Sequence, residues 1–117
     1  MALASLNLLV LRVRDVQAAK QFYSLLGISF VQEKHGTGPT HFAAELGTFV
    51  FEIYPYRPGQ PTVPLRLGFQ VPKFDATIAS LRERGAKLLN EVQPMANGFR
   101  AVVEDPDGNA IELTSIG

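Results

Sequence analysis

The chain is expected to fold as an α+β protein built from two copies of one βαβββ module. Three observations predict this. Residues 8–30, LLVLRVRDVQAAKQFYSLLGISF, lie without a gap over residues 66–88, RLGFQVPKFDATIASLRERGAKL. Apolar spacing in each copy switches from period two to helical and back to period two. Between the copies runs PYRPGQPTVP, residues 55–64, with four prolines in ten residues, a stiff connector with few backbone donors. Two copies mark a half-domain duplication rather than a solenoid. The reading is one domain over 1–117: module 1 at 1–56, a linker at 57–64 and module 2 at 65–117.

In the first module Leu6–Val13 alternates as a strand, and Asp15 is suited to cap the helix after it. Val16, Ala19, Phe22, Tyr23 and Leu26 make one apolar stripe, which places Phe22 and Tyr23 in the core. Gly27 supplies the left-handed stop. Strands follow near Ser29–His35, His41–Glu45 and Phe49–Tyr56. In the second module Leu65–Val71 is the first strand, Phe74, Ile78 and Leu81 stripe the helix, and Gly85 ends it. Strands follow near Ala86–Gln93, Phe99–Glu104 and Ala110–Ser115. MANG, residues 95–98, reads as a mobile flap, and HGTGPT as a turn that lacks the lysine and helix context of a phosphate loop.

Alternation also sorts faces. Leu9, Leu11, Val13, Phe51, Ile53, Leu67, Phe69, Val71, Ile111 and Leu113 should face the helices. Glu52 and Glu112 fall at matching places on the opposite face, with Arg12, Arg66 and Gln70. Leu8, Val10, Val50, Tyr54 and Val102 share it, and apolar walls with a few polar groups suit a ligand pocket.

Composition excludes several classes. Eleven basic and eleven acidic residues leave no net charge and no footprint for nucleic acid. No cysteine is present, which removes disulfides, thiolate ligands and a cysteine nucleophile. No stretch approaches the roughly 20 apolar residues of a membrane span. A soluble cytoplasmic protein is expected.

The segment DPDGNAIEL, residues 105–113, joins a turn of Asp107, Gly108 and Asn109 to a strand that presents Glu112. With the front segment and the duplication, it makes the whole chain resemble the vicinal-oxygen-chelate superfamily, which includes glyoxalases, bleomycin-resistance proteins and extradiol dioxygenases. The resemblance implies a curved mixed sheet around a cleft, helices on the outer face, and a homodimer. It also implies positions for one divalent metal, at the start of each module's first strand and on its last strand. Here these are Leu8, Glu52, Arg66 and Glu112. The two acids match. Leucine offers no donor atom, and a guanidinium stays protonated and repels a cation.

No metal ligand and no cofactor are therefore expected, and a divalent metal is disfavoured. His35 and His41 read as strand-edge or loop residues. Arg66 is expected to neutralise one acid in the cation's place, with Arg12 serving the other. Candidate ligand-binding residues are Leu8, Arg12, Tyr54, Arg66, Gln70 and Phe99. Without tryptophan, flat surfaces come from Phe42, Tyr54, Tyr56 and Phe99. The expected function is metal-independent binding of a small organic molecule in a dimer cleft. The alternative is a glyoxalase-like lyase or isomerase with Glu52 or Glu112 as general base, with or without a divalent metal. A regulatory protein that keeps the fold and has lost chemistry is a third reading.

Overall fold

Leu11 and Val13 are buried while Arg12 between them is half-buried, which is the alternation of a strand with one packed face. The computed structural model describes residues 2–59 and 63–115, so linker residues 60–62 lie outside the described residues. The first module runs β1 (Leu8–Val13), α1 (Val16–Ser24), β2 (Val31–Glu33), β3 (His41–Leu46) and β4 (Phe49–Pro55). The second runs β5 (Arg66–Val71), α2 (Phe74–Glu83), β6 (Leu88–Met95), β7 (Gly98–Glu104) and β8 (Ala110–Ser115). Each is βαβββ, and each forms a compact unit with its own four-stranded mixed sheet.

Strand order is β1-β4-β3-β2 in the first unit and β5-β8-β7-β6 in the second. The first and last strands of each module pair in parallel, Leu8 with Val50 and Arg66 with Ala110. A parallel pair needs a long crossover, and the helix and two middle strands provide it.

The helices form where local chemistry permits. Asp15 Oδ1 accepts from the backbone N–H of Gln17 at 3.0 Å and of Ala18 at 3.1 Å, capping α1. Gly27 takes φ of 95°, which a side chain would resist. Lys73 precedes α2 without a side-chain cap. At the far end of α2 the N–H of Ala86 reaches the carbonyl of Leu81 at 2.9 Å, closing the helix around Gly85.

Each helix covers the face that alternation assigned to it. Tyr23 of α1 is fully buried and meets Phe51 of β4 edge-on, centroids 5.2 Å apart. Ile78 and Leu81 of α2 are buried in the second unit, as are Val71, Ile111 and Leu113 of its sheet. These side chains make up the two hydrophobic cores.

Element ends moved. β1 begins at Leu8, not Leu6, and β2 is only three residues long. The segment expected as a flap is a tight hairpin: Met95 pairs with Gly98, and Gly98 holds φ of 128°. Only two residues remain between the strands, too few for an independent loop.

The DPDGN turn is wired through its side chains. Asp105 Oδ1 accepts from the N–H of Asp107 at 2.9 Å and of Asn109 at 2.8 Å. Asp105 Oδ2 accepts from the Asn109 side-chain amide at 2.9 Å. Asn109 Oδ1 in turn accepts from the N–H of Leu65 at 2.8 Å. The turn thus holds the entry to β5 as well as aiming β8, and with it Glu112.

Candidate functional site

On the first sheet, the face away from α1 carries a row of side chains across all four strands. Arg12 pairs with Tyr54, and Glu33 with His41. The His41 ring stacks on Tyr54 at 4.0 Å and 11°. The Arg12 guanidinium lies over the Tyr54 ring, 4.7 Å from its centroid, and donates to the Pro55 carbonyl at 3.3 Å. A cation, a phenol, an imidazole and a carboxylate therefore stand in line. Burial pushes the Tyr54 phenol up from its ordinary value, and the nearby Glu52 carboxylate adds to the effect.

His41 is the centre of this face. It is 1% exposed, yet every polar atom is engaged. Nδ1 lies 3.2 Å from the Pro39 carbonyl. A carbonyl only accepts, so the hydrogen sits on Nδ1. Nε2 then faces the Tyr54 hydroxyl at 3.1 Å, Glu33 Oε1 at 3.3 Å and Glu52 Oε2 at 3.8 Å. Glu52 is 18% exposed and sits beside Val10 and Ala43 in register.

The second sheet repeats the plan with different chemistry. Gly68 and Val102 flank Glu112 where Val10 and Ala43 flank Glu52. Arg100 therefore holds the place that His41 holds in the first unit. Glu112 Oε1 accepts from Arg66 at 3.0 Å and from Arg100 Nε at 3.0 Å and its terminal nitrogen at 2.9 Å. Those bonds, from Arg66 first and then Arg100, hold the Glu112 carboxyl below the usual carboxylate range. The pseudo-symmetric acids thus differ: one is locked by two permanent cations, the other faces an imidazole.

The four positions that the resemblance assigns to a metal do not suit one. In the first unit Leu8 is half exposed and has no donor atom beside Glu52. In the second, Arg66 occupies the ligand position and is bonded to the acid that would share the ion. A cation at Glu112 Oε1 would have to displace both guanidinium groups from that oxygen.

The expected pairing of Arg66 with an acid is present, on Glu112. Arg12 does not serve Glu52 but stacks on Tyr54. Gln70 is exposed on the second sheet, in register with Thr114 on Glu112's face. Phe99 is on the opposite face: its neighbours Ala101 and Val103 pair with Leu113 and Ile111, and its ring lies 6.4 Å from Phe74 of α2. An odd position in β7 cannot join Glu112. Phe42 is likewise a core residue under Lys20 of α1. Sequence reasoning missed Arg100, although Val102 two residues on had been assigned to the right face. It also missed Glu33 beside His41, because the loop between their strands leaves the register open.

Two βαβββ modules, each with a four-stranded mixed sheet and an acid on its last strand, match the vicinal-oxygen-chelate fold. The profile of the Glyoxalase/Bleomycin resistance protein/Dioxygenase superfamily matches residues 5–113, and the chain belongs to that family. Among solved structures, TnmS3, an antibiotic binding protein from Streptomyces sp. CB03234, is 26% identical at a TM-score of 0.75, covering 100% of this chain and 99% of that one. A glyoxalase/bleomycin resistance protein from Streptomyces sp. CB03234 is 27% identical at 0.71, covering 94% and 99%. The oxidase ChaP-H2, 21% identical at 0.76 and covering 97% and 94%, shares the fold. A comparison with curated proteins finds no match. Among the described residues no helix is long and apolar enough to cross a membrane.

Proposed function

We propose that the protein binds a small organic molecule without a metal at the family's chelating positions, as an antibiotic-binding relative suggests. The observation that carries this is Glu112 held by Arg66 and Arg100 at 3.0 Å and 2.9 Å where a chelate would need free lone pairs. The resemblance to an antibiotic binding protein supports the ligand class. The polar faces suit such a ligand: fixed charges to orient it, and the half-buried Tyr54 with its partners to border it. A cytoplasmic homodimer with the ligand in a cleft belongs to this reading. Edge strand β6, with Leu89, Val92 and Met95 exposed, is apolar surface that a second copy would cover.

The test is a thermal-shift and calorimetric screen of bleomycin and a panel of aromatic antibiotics, run with a chelator present. A saturable rise in melting temperature that Arg66→Ala or Tyr54→Ala weakens is expected. Binding that vanishes whenever chelator is added would sink the reading.

A second reading, glyoxalase-like catalysis, keeps one candidate base. Glu112, held ionised by two arginines, is a poor proton acceptor near neutrality. Glu52, with His41 Nε2 at 3.8 Å, is the better placed of the two acids. Turnover of the methylglyoxal–glutathione adduct, lost in Glu52→Gln and retained in Glu112→Gln, would favour it.

A further inference from the structure

We infer that Glu33, His35 and His41 form a divalent-cation site of the Zn²⁺ type, held by the first unit alone and separate from the family's chelating positions. It does not depend on the proposed ligand-binding role. Three observations carry it.

The first is spacing. One donor atom from each residue lies within 4.8 Å of the other two. His41 Nε2 is 3.3 Å and His35 Nε2 3.6 Å from Glu33 Oε1. Zinc bonds of about 2.0–2.2 Å in a tetrahedron put neighbouring donor atoms roughly 3.3–3.6 Å apart. Two imidazoles and one carboxylate are also the donor set of zinc sites that keep an open fourth position.

The second is orientation. His41 gives its Nδ1 hydrogen to the Pro39 carbonyl at 3.2 Å. A hydrogen bond of this kind fixes the tautomer of metal-bound histidines and leaves the other nitrogen's lone pair free to coordinate. Nε2 is within hydrogen-bond distance of the Tyr54 hydroxyl at 3.1 Å and of Glu33 Oε1 at 3.3 Å. An ion at Nε2 would take the place of those hydrogen bonds and be held by the same ring nitrogen and carboxylate oxygen.

The third is preorganisation with access. The His41 ring is 1% exposed and clamped on Tyr54, so its direction is set before any ion arrives. Glu33 is 36% and His35 73% exposed, which gives an ion a path from solvent. Glu33 and His35 are two residues apart, and Glu33 lies opposite His41 in register.

The test uses the full chain, stripped of metal with chelator and dialysed, then titrated with Zn²⁺ and with Co²⁺ alone. Calorimetry is expected to find one ion per chain, and Co²⁺ to show the intense visible bands of tetrahedral coordination. His35→Ala, at an exposed position where folding is not at stake, should weaken binding about tenfold or more, and Glu33→Gln similarly. Glu112→Ala should leave it unchanged. Absence of saturable micromolar binding, or equal binding by wild type and His35→Ala, overturns the proposal. So does loss of binding in Glu112→Ala, which would return the ion to the family's positions. Because the antibiotic screen is run in chelator, failure of either idea leaves the other standing.

Discussion

Replacing Asn109 with alanine tests whether the DPDGN turn governs the second unit's stability. Asn109 is 5% exposed and Asp105 4%. The side chain satisfies two other groups: it accepts from the Leu65 N–H at 2.8 Å and donates to Asp105 Oδ2 at 2.9 Å. Alanine leaves both partners without that bond. A buried group stripped of its partner costs about 1–3 kcal/mol. Leu65 is only half-buried, so water recovers part of its share, and the sum is about 2–4 kcal/mol. For a domain of this size that lowers the melting temperature by roughly 10 °C. Urea unfolding should show a lower midpoint at unchanged slope. Asn109→Asp sharpens the test: it keeps the acceptor for Leu65 but sets a carboxylate against Asp105. A loss below about 0.5 kcal/mol for the alanine variant, the level of an ordinary surface change, would refute the tether.

Two further outcomes follow from the same geometry. The folded value of Glu112 is depressed, so its contribution to stability is complete above the unfolded value near 4.5 and is lost as pH falls through the lower folded value. With Glu112 32% and Arg66 56% exposed, solvent screening keeps that contribution to about 1 kcal/mol. Glu112→Gln should therefore be less stable than wild type at neutral pH and equal to it in strong acid, by urea unfolding at both. Gly108 holds φ of 89°, and an added Cβ meets nothing closer than Glu104 Oε1 at 3.8 Å. Gly108→Ala should thus cost only the backbone term, about 1–2 kcal/mol; a much larger loss would mean steric collision instead.

Much of this molecule was legible before any coordinates. Period-two spacing put Leu11, Val13, Phe51, Ile53, Ile111 and Leu113 on the packed faces, and all are buried. Asp15 and the two helix-ending glycines act as their chemistry requires. The departures have a common cause. β2 is short and β6 carries register shifts, because pairing with a neighbour decides where an edge strand ends. Phe99 was chosen for its ring rather than its parity, and parity sent it to α2.

Local pattern alone determined the duplication and the position of Glu52 and Glu112 on matching strands, because each depends on residue type and spacing along the chain. Tertiary structure decided the partners: Arg100 with Arg66 on Glu112, Arg12 on Tyr54, and Glu33 with His41. Those meetings join strands from eight residues apart, for Glu33 and His41, to 46 apart, for Arg66 and Glu112, and cross-strand register is set by the packing of both faces rather than by any one segment.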